Sequence, residues 1–130
     1  MHKILSYALV RAHHHKSGGK QSLYAVATDK RGRIIAEGGN SYEVTHPLQA
    51  SSAKIAGSSE KCFLHAEIAV LAKLLRKRMD CAKLSLYVAR ANRRGDPMLA
   101  KPCPICAKAL DMAGFKTYNI LYTTSEGELT

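Results

Sequence analysis

A chain of 130 residues, 46% of them apolar, can bury one hydrophobic core but is too short for two ordinary domains, so a single domain over residues 1–130 is expected. No apolar run approaches the roughly 20 residues that cross a bilayer, and the short run Leu5–Val10 leads at once into Arg11 and three histidines, so neither a membrane partner nor a secretory leader is expected. The formal charge of +10 points to anionic partners, nucleotides or nucleic acid, or simply to a well-solvated surface.

Leu5, Ala8, Leu9 and Ala12 recur at helical spacing and predict an amphipathic helix over residues 2–12, ended by a polar loop over His13–Lys20. Adjacent histidines in a glycine-flanked loop cannot easily converge on one ion, so a solvated loop is favoured over a metal site. Leu23–Thr28, a turn at Asp29–Gly32 and Arg33–Glu37 predict a hairpin. After Gly38-Gly39-Asn40, the segment Ser41–Lys61 is longer than a connector needs to be, which suggests service to a site.

Leu64, Ile68, Leu71 and Leu75 predict a helix over residues 63–79 with Arg76, Lys77 and Arg78 in its last turn, where cations suit the helix dipole. Leu84–Ala89 reads as a strand, Ile105–Ala113 as a helix closed by Gly114, and Tyr118–Tyr122 as a strand. A hairpin followed by strands joined through helices implies a mixed sheet, its last strands parallel and its faces covered by helices.

Four cysteines, Cys62, Cys81, Cys103 and Cys106, are not needed as disulfides in a domain of this size, leaving metal binding or burial as their roles. In "AKPCPICAKAL", Cys103 and Cys106 sit at a helix start, where both can face one ion and the positive helix end favours thiolates. Such a pair alone also occurs in redox motifs and zinc knuckles. A third ligand is offered by "LHAEIAVL", in which His65 stands at another helix start; helices that follow parallel strands begin at one end of the sheet and can bring their first turns together. Three protein ligands would leave the fourth tetrahedral position to water, with Glu67 close enough to move protons. Cys62, three residues before His65, could instead close a four-ligand structural site, and Cys81 reads as a small buried hydrophobe.

His65-Ala66-Glu67 followed by Pro102-Cys103-Pro104-Ile105-Cys106 resembles the paired signature of the zinc-dependent nucleoside, nucleotide and nucleobase deaminases, over about residues 20–122. Its wording is most similar to the deoxycytidylate branch, including small phage proteins. The resemblance implies a three-layer α/β/α cytidine deaminase-like fold with a mixed four- to five-stranded sheet. It implies Zn2+ as the only cofactor, held by His65, Cys103 and Cys106, and Glu67 as proton shuttle in the hydrolysis of a cytosine nucleotide to its uracil form. It also matches Asn40 to a substrate-binding asparagine whose amide both donates and accepts, and places Ala66 and the backbone N–H of Cys103 near the reacting groups. The stretch Ser41–His46 is expected to wall the pocket or to bind phosphate, with Tyr42 as its candidate substrate contact. Lys101 and Arg90 are candidates for contact with a substrate phosphate. A cytoplasmic protein is expected, in the host cytoplasm if a phage encodes it.

Two other readings stand beside deoxycytidylate deamination. One is action on a polynucleotide, at cytosine in single-stranded DNA or adenosine in transfer RNA. It suits the charge but not the aromatic content, because there is no Trp and Tyr24, Tyr87, Tyr118 and Tyr122 are read into strands, Tyr42 excepted. The other is a deaminase-like protein that binds nucleotides without catalysis. Because the chain ends eight residues after Tyr122, where many relatives continue, a sheet stopping at four strands and a homo-oligomer covering its exposed parts are expected.

Overall fold

The computed structural model describes residues 2–15, 22–41, 48 and 65–129, the last three of these without their side chains. Helix α1 (Lys3–His14) precedes strands β1 (Ser22–Thr28) and β2 (Ile34–Gly39) and helix α2 (Ala66–Arg76). Strand β3 (Ser85–Ala91), the short β4 (Pro97–Met98), helix α3 (Pro104–Ala113), β5 (Ile120–Thr124) and β6 (Gly127–Leu129) follow. The sheet runs β2-β1-β3-β5-β6, with β4 beside the end of β3. β1 is antiparallel to both β2 and β3, whereas β3 and β5 are parallel, as expected of strands joined through a helix.

Side chains alternate across each strand, and this sorts the core into two layers. Tyr24, Val26, Tyr87, Ala89 and Ala91 face α1, meeting its buried Leu5, Ala8 and Ala12. Ala25, Ala27, Leu86 and Val88 face the other way, toward Ile68, Leu71 and Leu74 of α2 and Cys106 and Leu110 of α3. The result is the mixed three-layer α/β/α arrangement of the sequence reading.

The predicted turn forms as read: Gly32 has φ +80° and donates to the Asp29 carbonyl, while the Asp29 carboxylate accepts from the N–H groups of Arg31 and Arg33.

Several boundaries differ from expectation. α1 continues through His13 and His14, so these are not loop residues but part of its last turn, which the His15 N–H closes on the Ala12 carbonyl. α2 stops at Arg76, and Arg78 takes a left-handed conformation (φ +56°) while Met79 N–H donates to the Leu74 carbonyl at 3.1 Å. This is a closure usually built on glycine, and an arginine there gives no stop signal. Tyr118 lies in a tight turn over Thr117–Asn119 rather than in a strand, and is 77% exposed. The sheet gains β6, antiparallel to β5, beyond the four strands read from sequence. Among the described residues no helix is long and apolar enough to cross a membrane.

Contacts between β2 and α2 fix their relative direction. Lys77 Nζ donates to the Ile35 carbonyl and Lys73 Nζ to that of Glu37, while Gly38 packs against Ala69. The partners run backward along α2 as β2 advances, so the carboxyl end of β2, at Gly39 and Asn40, meets the start of α2, at His65. A groove of about 450 Å³ lined by Ile34–Glu37, Lys73, Arg76 and Lys77 lies at the opposite end of this pair.

On the other face, Glu37 anchors α1 to the sheet. Its Oε1 accepts from the hydroxyls of Tyr7 and Tyr24, each at 2.7 Å, while Arg11 donates to Tyr24 Oη at 3.2 Å and lies 3.8 Å from Glu37. Burial pushes the Glu37 carboxyl up, but the two hydroxyl bonds and the charges of Arg11 and Lys73 outweigh it and hold the group below its ordinary value. A depressed carboxylate contributes stability that is present above the unfolded-state pKa, about 4.3, and lost as pH falls through the folded value. Glu37→Gln is expected to cost about 1–2 kcal/mol at neutral pH. The difference from the parent should shrink below about pH 4, as read from urea unfolding across pH.

Candidate active site

His65 and Cys103 occupy equivalent places, each the residue just before a helix. His65 has extended backbone (φ −90°, ψ 152°), and its carbonyl accepts from Ala69 N–H to open α2. Cys103 is likewise extended (φ −66°, ψ 166°), and its carbonyl accepts from Ala107 N–H. Pro104 takes the first position of α3, where its fixed φ suits a helix and its missing N–H costs nothing. Cys106, three residues after Cys103, falls on the same side of that first turn and is fully buried.

The two helix starts converge. His65 Nδ1 is 3.2 Å from Cys106 Sγ and 3.6 Å from Cys103 Sγ, and the ligand atoms of all three residues lie within 4.8 Å of one another. Bonds of about 2.3 Å to sulfur and about 2.0–2.1 Å to nitrogen around a tetrahedral zinc would separate nitrogen and sulfur by about 3.6 Å. One imidazole and two sulfurs are also a donor set that suits zinc. The three residues therefore fit such an ion.

Their mutual contact shifts the two thiols in opposite directions. A hydrogen bond from the Cys106 thiol, reinforced by His65 and opposed by burial, holds the Cys103 thiol down to about 3. The same bond pushes Cys106 up, together with burial and the neighbouring Glu67 carboxyl.

Glu67, in the first turn of α2, is 3% exposed. Burial pushes its carboxyl up to about 7, against a hydrogen bond from its own backbone N–H and the charge of His65; Cys103 adds to the rise, while a hydrogen bond from the Cys106 side chain lowers it. It stands beside the side chains of His65, Cys103 and Cys106, out of bulk solvent.

Asn40 is buried at the end of β2 that meets the start of α2. Its Oδ1 accepts from Leu23 N–H at 2.9 Å, and its own N–H donates to the Leu23 carbonyl at 3.1 Å, so β1 orients the side chain. Ala66 is fully buried in the first turn of α2. Arg90 Nη1 reaches the Leu99 carbonyl at 3.5 Å, and Lys101 is exposed. Cys81 is buried, as read. Tyr42, His46 and Cys62, with nearly all of Ser41–Lys61, lie outside the described residues.

One contributor was missed in the sequence. Thr123 of β5 is fully buried; its Oγ1 donates to the Met98 carbonyl at 2.7 Å and accepts from Arg90 N–H at 3.1 Å, while its own carbonyl accepts from Ala100 N–H. These bonds fix the segment leading into Cys103. A threonine in a strand reads only as a good strand former.

A family model described as the cytidine and deoxycytidylate deaminase zinc-binding region matches residues 1–122, which takes in α1 as well as the motif-bearing part. Among solved structures, the chain is similar to the apo form of dCMP deaminase from the cyanophage S-TIM5, with a TM-score of 0.56 and 21% identity over 95% of this chain and 86% of that one. Cytidine deaminase from Mycobacterium leprae gives 0.54 and 17% over 97% and 88%. A mutant cytidine deaminase from Mycobacterium tuberculosis gives 0.52 and 20% over 96% and 86%. At these identities the likeness is one of fold. A search of curated protein sequences finds no significant match.

The geometry generates a direct test by metal analysis. The purified protein is expected to carry about one zinc per chain, and Cys103→Ser or Cys106→Ser to lose most of it, because a hydroxyl is a far weaker ligand than a thiolate. Cys81→Ser should keep its zinc. A loss of zinc in Cys62→Ser would instead indicate a fourth protein ligand.

Proposed function

The chain belongs to the cytidine and deoxycytidylate deaminase family, a family of zinc-dependent deaminases, and on that premise we propose that it acts as one catalytic domain converting deoxycytidylate to the uracil nucleotide with release of ammonia. The observation that carries this is the buried carboxyl of Glu67 beside the convergent His65, Cys103 and Cys106. We assign the three as zinc ligands. Zinc held there would lower the pKa of a bound water to about 7 and so supply a nucleophile at neutral pH.

The remaining work falls to the protein's own groups. Glu67 accepts a proton from the attacking water and delivers it to the ring nitrogen beside the reacting carbon. It then takes the remaining proton of the added hydroxyl and passes it to the amino group, the carbon–nitrogen bond breaks, and the base has gained oxygen and lost ammonia. Burial keeps this carboxyl out of bulk water, so its proton passes to the substrate rather than to solvent. Asn40, held by Leu23, orients the sugar or base, and Ala66 and the Cys103 N–H line the reacting end. Tyr42 belongs to the same proposal as part of the pocket wall.

The charge of +10 favours a phosphorylated substrate over a neutral nucleoside. It would also suit a polynucleotide backbone. Tyr118, the exposed ring that sequence reading had put in a strand, does not help that alternative: it precedes β5, whose start pairs with the start of β3, at the end of the sheet remote from the cysteines.

Two outcomes follow. Glu67→Gln is expected to lose about 10²–10⁴-fold in turnover while keeping its zinc, measured by ammonia release beside metal content. Retained activity would remove the proton-shuttle role. Among cytidine, deoxycytidine, their monophosphates, single-stranded DNA and transfer RNA, deoxycytidylate should be deaminated with the highest kcat/KM. Turnover of transfer RNA alone would replace the substrate assignment.

A further inference from the structure

The three histidines at the end of α1 have no part in the chemistry proposed above, yet one of them reaches the substrate end of the sheet. His15, the residue after α1, places Nε2 2.6 Å from the backbone oxygen of Asn40. Because a carbonyl oxygen only accepts, Nε2 is the donor, whether the ring is neutral or charged. The imidazole stands edge-on to Tyr24, with ring centroids 6.1 Å apart, and lies over Gly39 so closely that a Cβ there would overlap it. The backbone of His15 is held as well. Its N–H donates to the Ala12 carbonyl at 3.3 Å, and its own carbonyl accepts from Ser22 Oγ at 3.0 Å.

The described contacts that hold Asn40 thus include three hydrogen bonds. Leu23 supplies two of them through its backbone, as almost any residue there would. The third requires a side chain that carries a donor from α1 to the far end of β2, and a glycine at position 39 to admit it. β2 is the outermost strand of the described sheet.

We propose that His15 is a positioning residue for substrate binding: by holding the Gly39–Asn40 peptide it sets the direction of the Asn40 amide. This rests on the reading of Asn40 as a substrate contact. His15 would act through Asn40 and not through Glu67, so its removal should weaken substrate capture while leaving the chemical step nearly intact.

The test is a set of variants assayed with deoxycytidylate, each checked for melting temperature and zinc content. His15→Leu keeps the bulk and removes the donor, and is expected to raise KM about five- to tenfold with kcat within about twofold, the scale of one lost hydrogen bond. His15→Gln offers an amide donor and should recover much of the loss. Gly39→Ala should mimic His15→Leu, because the displaced atoms belong to the movable end of a side chain. Asn40→Ala combined with His15→Leu should raise KM no further than Asn40→Ala alone, since both remove one function. If Asn40→Ala raises KM but His15→Leu does not, or if the two effects add fully, the inference fails and the Asn40 reading survives. If Asn40→Ala leaves KM unchanged, or the parent does not turn over deoxycytidylate, the substrate reading falls and takes this inference with it.

Discussion

The separations of 3.2 and 3.6 Å between His65 Nδ1 and the two cysteine sulfurs exist because α2 and α3 begin at the same end of one sheet. Each helix presents the residue before its first turn in extended conformation, so the side chain projects ahead of the helix and toward its neighbour. The positive ends of both helices then face the same point, which favours thiolates and any anionic group that enters. Everything proposed about catalysis depends on this convergence, and 38 residues of chain separate its two halves.

The remainder of the fold holds those ends in place from three directions. β3 lies inside the sheet, between β1 and β5, with an almost unbroken run of buried side chains that gives the two helices a common floor. Thr123 reaches from β5 to Met98 and Ala100 and fixes the approach to Cys103. On the opposite face, the Tyr7, Arg11, Tyr24 and Glu37 group ties α1 across β1 to β2, and α1 in turn carries His15 to Asn40. A helix that supplies none of the convergent His65, Cys103 and Cys106 groups is thereby coupled to the end of the sheet where they meet.

Much of this was legible as periodicity. Leu5, Ala8 and Ala12 repeat at helical spacing because one face of α1 is buried, and the hairpin turn was legible because Asp29 and Gly32 are the residues its geometry needs. The failures have physical causes. Arg78 closes α2 in a conformation that a reader expects of glycine. His13, His14 and His15 read as solvated because their type and their neighbours are polar, whereas His15 is partly buried by a strand end lying 24 residues further on in sequence, at Gly39. β4 and β6 are too short to show a pattern and exist only because β3 and β5 offer edges to pair with. Tyr118 has the composition of a strand residue but falls in the tight turn that precedes β5.

By itself the sequence determined the chemical inventory: one imidazole, a pair of thiols three positions apart at a proline-marked helix start, and a carboxyl two residues from the histidine. Those are local properties, set by residue type and by the spacing of a helical turn. Only the tertiary structure decided that the imidazole meets the thiols, that Glu67 is buried beside them, and that His15 reaches Asn40. Distances between groups remote in sequence are set by strand order and helix direction, and these follow from the packing of the whole chain.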